Sequence, residues 1–160
     1  MATLTVWKFD TPEGASRAAE KLQGLAKEGL VNIEDAATVS WEEGASKPKT
    51  RQMHNLTGRG ALGGMFWGML FGLIFLIPLF GMAVGAAAGA IAGSLRDVGI
   101  DDDFIKRTRD EIQPGTSALF VLTTDVVVDK VRDAFAGDRP KLLHTNLSKE
   151  QEEHLHEVFV

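Results

Sequence analysis

The sequence predicts an α+β fold in two halves, with an apolar helical hairpin inserted between them. Three observations predict it. Each end of the chain reads strand, helix, strand. The two ends share that order and almost no residues, so the repeat is architectural. Between them, 36 residues from Gly60 to Leu95 carry no charge, whereas the other 124 residues carry all 39 charged side chains. At 160 residues with 44% hydrophobic side chains the whole has the length and composition of one domain.

The N-terminal half starts with Met1–Phe9, an alternating segment in which Leu4, Val6 and Phe9 predict a half-buried strand. It ends at Asp10 without a basic region or a long apolar stretch, so no export signal is expected. Thr11-Pro12 reads as an N-cap and a first-turn proline. Ala15, Ala18, Ala19, Leu22, Leu25 and Ala26 recur at helical spacing, and Gly29 ends the helix. Val31–Trp41 reads as a second strand with Val39 and Trp41 on one face. Residues 42–57 are polar and basic, a candidate hairpin extension carrying Lys47, Lys49 and Arg51.

After the apolar run, residues 101–112 predict a short helix with Asp101, Asp102 and Asp103 at its N-terminus. Phe104, Ile105, Thr108 and Ile112 share one side of it. Ser117–Thr123 is a strongly apolar strand, and Thr124-Asp125 caps a helix with Val127, Val128, Val131, Ala134 and Phe135 inward. Lys141–Asn146 reads as a short strand. Ser148 and Gln151 have capping-box spacing for a last helix with Leu155, Val158 and Phe159 as its apolar edge. Two β-α-β units at opposite ends of a chain predict a ferredoxin-like sheet. The expected division is 1–57 for its first half with a basic connector, 58–96 for the glycine-rich hairpin, and 97–160 for its second half with a C-terminal helix.

Pro78 divides the uncharged run. Each flank suits one helix of about 17 residues, or roughly 26 Å, against about 30 Å for a bilayer core. Gly60, Gly64, Gly68 and Gly72 are four apart, as are Gly81, Gly85, Gly89 and Gly93. Glycine costs a helix about 1 kcal/mol relative to alanine, so two such ladders call for close packing of another backbone, in the manner of a glycine zipper. That packing is either between the two flanks or between copies. Two smooth faces favour copies, since each helix in a ring or sheet needs contacts on both sides. Met65, Phe66, Trp67, Met69, Leu70, Phe71 and Phe75 are expected to point outward from the first helix. A hairpin buried in a soluble core is the competing reading, but so little remaining chain covers 36 apolar residues poorly. Lys47, Lys49, Arg51, Arg59 and Arg96, with Trp67, are the candidates for contact with lipid headgroups at the interface. The basic residues on both sides of the run place both soluble halves in the cytoplasm, at the inner membrane.

The chain offers little chemistry. It has no cysteine, which excludes disulfides, thiolate metal sites and a cysteine nucleophile. A net charge of -5 argues against nucleic acid as a partner. His154 and His156 are two apart and point to different faces of a helix, so no metal is expected there. His144 reads as a strand-end histidine and His54 as interfacial. The three aspartates at 101–103 lack the spacing of a calcium loop. The glycines lack the Gly-Lys-Ser/Thr ending of a phosphate loop, and no serine–histidine–acid set is visible. No cofactor and no catalytic residue is assigned.

The glycine-ladder hairpin, the strand "GTSALFVLTT" and the close "LLHTNLS" occur together here. In this combination the chain resembles the bacterial membrane-protein family called domain of unknown function 1269, from Leu4 to Leu155. The resemblance is most specific over Gly58–Gly93 and Pro114–Thr124. It implies the architecture and membrane association, with no activity and no site. The expected function is therefore non-enzymatic: a membrane-associated homo-oligomer whose glycine ladders drive assembly in or on lipid, shaping or holding it. The alternatives are an oligomeric pore and a membrane-anchored ligand sensor.

Overall fold

Strand β4 (Ser117–Thr124) has apolar side chains on both of its faces, Ala118, Phe120 and Leu122 on one and Leu119 and Val121 on the other. A strand of that kind belongs in the middle of a sheet covered on both sides. The computed structural model, which describes residues 2–29, 33–53, 64–75, 95–135, 137, 140–151 and 153, places it there. Around it lie β1 (Ala2–Phe9), β2 (Ile33–Ser40), β3 (Lys49–Gln52) and β5 (Lys141–Leu147). The fold is α+β with a five-stranded antiparallel sheet in the order β3-β2-β4-β1-β5. Strands β1 and β2 both run antiparallel to β4, so they are parallel to each other with β4 between them. In the same way β4 and β5 flank β1. The basic connector forms the expected hairpin extension, β3 pairing with β2 from Ala37↔Gln52 to Ser40↔Lys49.

One face is covered by α1 (Gly14–Lys27) and α4 (Asp125–Ala134). Ala15, Ala18, Ala19 and Leu22 from α1, Val131 from α4 and Phe135 just after it pack on Trp7, Phe9, Ile33, Ala36, Leu119 and Val121. Phe135 meets Trp7 edge-on at 5.4 Å and Phe9 at 6.2 Å. The opposite face is covered by α2 (Gly64–Phe75), α3 (Asp102–Glu111) and the turn from Leu95 to Ile100, over Leu4, Val6, Ala37, Val39, Phe120 and Leu122. Strand β1 is therefore buried on both faces, and even Thr3 and Thr5 are inaccessible. The half-buried expectation fails because the second face has its own helical layer.

That layer changes the reading of the apolar run. Phe66, Trp67, Leu70, Phe71 and Ile74 lie against the sheet, not outward, and Met69 and Phe75 are partly buried beside them. Each large side chain so buried contributes about 1.5–3 kcal/mol. Sliding α2 off the sheet would also expose Phe120 and its neighbours.

Local signals at the helix ends are partly as expected. Asp101 caps α3, its Oδ1 accepting the Phe104 N–H at 2.9 Å, and Phe104, Ile105, Thr108 and Ile112 are buried. Gly29 follows α1 at φ 73°, a conformation only glycine adopts cheaply. Ser148 and Gln151 form the capping box, each side chain bonding the other's backbone. The start of α1 differs from expectation, because its N-cap residue is Glu13, without a side-chain cap bond. Ser117, over a hundred residues away, supplies the cap instead: its Oγ accepts the Ala15 N–H at 2.9 Å and donates to the Thr11 carbonyl at 2.6 Å. In the tight turn from Leu95 to Ile100, the Ile100 N–H reaches the Leu95 carbonyl and Gly99, at φ 97°, bonds Arg96.

Candidate functional site

The features that distinguish this sheet from a plain one gather where α2 docks. A register shift between Ile33 and Asp35 lets Ile33 and Ala36 share the α1 face, and turns Asp35 toward α2 with Ala37 and Val39. Asp35 is 1% exposed. A buried carboxylate is costly without donors, and three are present. Its Oδ1 accepts the Ala36 N–H at 2.8 Å, and its Oδ2 accepts Trp67 Nε1–H at 2.8 Å and Gln52 Nε2 at 3.1 Å. The indole of Trp67 stacks on Phe71 at 5.7 Å and meets Phe120 edge-on at 6.3 Å. Asp35 thus ties β2, β3 and α2 together at Trp67.

Two turns further on, α2 is held by α3. Arg109 Nε donates to the Ile74 carbonyl at 2.8 Å and Nη2 to the Leu73 carbonyl at 2.6 Å. Carbonyl oxygens carry partial negative charge, so the planar guanidinium meets two of them with two donors at once. Trp41 meets the Phe75 ring edge-on at 5.8 Å. Trp41, Ile74, Phe75, Arg109, Ile112, Gln113 and Pro114 line a pocket of about 250 Å³ here. A second, more polar groove of about 440 Å³ runs between α1 and β3, lined by Ser16, Ala19, Glu20, Gln23, Thr38, Arg51 and Met53.

The sites expected from the sequence fare differently. Trp67 is not at a surface: it is 3% exposed and its N–H is bonded to Asp35, so a headgroup-level position does not fit this packing. Lys47, Lys49 and Arg51 are exposed on the β2–β3 hairpin. Arg96 is exposed and 3.9 Å from Asp102. Gly64, Gly68 and Gly72 lie on α2, where Gly72 is buried and Gly68 half-buried. A Cβ at Gly68 would meet nothing within 4 Å. Residues four apart advance about 40° round a helix of 3.6 residues per turn, so the ladder winds from an open side to a buried one. Gly60, Arg59, Pro78, Gly81, Gly85, Gly89 and Gly93 lie outside the described residues, as do His54, His154 and His156. Among the described residues, no group of three His, Cys, Asp or Glu could hold a metal ion, and no helix is long and apolar enough to cross a membrane.

Sequence reasoning missed Asp35, Arg109 and Ser117. For the first the sequence carries only a partial signal: Glu34 and Asp35 stand together in VNIEDAATV, and either acid, if turned into the sheet, needs buried donors.

No curated protein and no solved structure matches this chain. A family model does match, over the apolar run and everything after it, leaving the first sixty residues outside. That model is described as a protein of unknown function, DUF1269, and since it covers residues 61–160 the chain belongs to this family.

Proposed function

We propose that the chain is a membrane-associated, homo-oligomerising protein: a ferredoxin-like sheet domain that sends an apolar hairpin into one leaflet of a bilayer and assembles through its glycine faces. The strand order β2-β4-β1-β5, with α1 and α4 on one face, supports the ferredoxin-like reading.

The observation that carries the membrane reading is the path of the uncharged run. Its first part covers the sheet, and the ends that flank residues 76–94, Phe75 and Leu95, belong to one apolar cluster on one face. The segment between them has no charged side chain. Inside hydrocarbon its backbone must be helical. Two helical arms of about nine residues reach about 14 Å, half of a core of about 30 Å. That reach supports entry into one leaflet over a span. Trp41, Arg109 and Gln113 rim the point of departure, an aromatic–cationic set suited to headgroup level in place of Trp67. The open side of α2 at Gly68 supports contact with a second backbone. The basic hairpin with Lys47, Lys49 and Arg51 supports a sheet domain on the cytoplasmic side of the inner membrane. The groove beside Arg51 favours the anchored sensor as the second reading.

The test is the native mass and lipid content of the full-length protein in several mild detergents, beside a Gly68→Leu/Gly85→Leu variant. The expected result is one large, lipid-holding particle that the double variant breaks while its circular dichroism is kept. A monomeric mass throughout would remove the assembly reading, and a large particle free of lipid would remove the membrane.

A further inference from the structure

We propose that the outer edge of β5 (Lys141–Leu147) is the surface through which two copies of this chain pair, antiparallel and strand to strand. The proposal rests on the assembly reading above and names its contact.

A sheet has two ends, and here they differ. The β3 end is four residues long and carries Lys49 and Arg51, both exposed. Short, basic edges repel a second strand. The β5 end is seven residues long with one charged side chain, Lys141, whose ammonium is paired with Glu111. Among the described residues, no backbone hydrogen bond reaches β5 from its outer side. A long edge of this kind, with few charges, is a template for strand addition. Its side chains are already sorted for both faces: Leu143 and Leu147 belong to the α2 side, and Leu142 packs on the α1 side.

The occupant is a second copy because of what the symmetry does. Two identical strands paired antiparallel are related by a two-fold axis perpendicular to the sheet. Such an axis keeps each face on its own side. The α2 layers of both copies, with Phe75 and Leu95, then lie on one side of a continuous sheet. Both apolar segments leave toward the same lipid surface, which a face-to-face contact would forbid. A lone strand pair is marginal in water, so the contact forms together with the packing of the apolar segments.

The chain contains no cysteine, which makes the test clean. Full overlap of the edge centres on His144, and directly opposed Cα atoms in an antiparallel pair are about 4.5–5.5 Å apart, within disulfide range. Single-cysteine variants of the full-length protein, Leu142→Cys, Leu143→Cys, His144→Cys, Thr145→Cys and Asn146→Cys, are oxidised in the mild-detergent particle, with Thr50→Cys on β3 as the control. The expected result is a covalent dimer at one position of the five, at least about tenfold above the control, with native circular dichroism. An oligomeric particle in which none of the five exceeds the control overturns the edge contact and leaves the assembly reading standing. A monomeric mass in every detergent, with no cross-link, overturns both.

Discussion

Asp35 shows how one side chain can fix the place of a helix. Its carboxylate is buried and takes a bond from Trp67, so the two form a unit across β2 and α2. Removing one partner of a buried hydrogen bond costs about 1–3 kcal/mol. Trp67→Phe should therefore lower unfolding stability by about that amount, and a double-mutant cycle with Asp35→Asn should show the losses to be non-additive. Chemical denaturation of the full-length protein reads both. Ser117 is a second case, because it caps a helix it does not belong to. Ser117→Ala should cost about 0.5–2 kcal/mol in the same experiment. Tryptophan position gives a third test. If residues 76–94 enter lipid, Trp41 is quenched by brominated lipid and buried Trp67 is not. Quenching of Trp67 instead would mean that α2 leaves the sheet in the bilayer. Residue type alone fixes neither the role of Asp35 nor that of Ser117. Asp35 depends on a strand irregularity, and Ser117 on a contact over a hundred positions away.

Helix α2 is the element on which the sequence and the structure part company. Its apolar character was plain, but apolarity does not say what covers it: lipid and a sheet face bury the same side chains equally well. The deciding facts are the two clasps, Asp35 on Trp67 and Arg109 on the Leu73 and Ile74 carbonyls. Arg109→Ala should loosen the Leu73–Phe75 turn, and hydrogen exchange should show its amides opening faster while β4 stays protected. Arg109→Lys should restore only part of the effect, since an ammonium lacks the planar fork that meets two carbonyls. The apolar pattern of β4 was the available warning, because a strand apolar on both faces needs a second layer. By contrast the buried face of α1, the helix α3 with its Asp101 cap and the capping box at Ser148 were legible, since these signals act within a few residues.

At the scale of the molecule, the stretch of the uncharged run that forms α2 is one the sheet needs. Deleting 60–95 removes α2 and lays bare Leu4, Val6, Phe120 and Leu122, so that variant should aggregate or fail to fold. Replacing only 76–94 by a short glycine–serine linker joins two ends that already belong to one cluster. That variant should unfold cooperatively and lose lipid from the purified particle. Size-exclusion chromatography with lipid quantification separates the two outcomes, and a folded variant lacking all of 60–95 would contradict the two-layer cover of the sheet.

By itself the sequence determined most of the elements and their order: alternation marked β1, a continuous apolar run marked β4, helical spacing marked α1 and α3, and the absence of charge marked the central run. These are short-range properties, written in spacings of two to four residues. Only the tertiary structure decided that the first part of that run covers the second face of the sheet, that Asp35 and Arg109 hold it there, and that Ser117 starts α1. The physical reason is that burial is a property of surfaces. An apolar helix takes whichever apolar surface lies within reach, and the sheet's second face exists only once strands from both ends of the chain have come together.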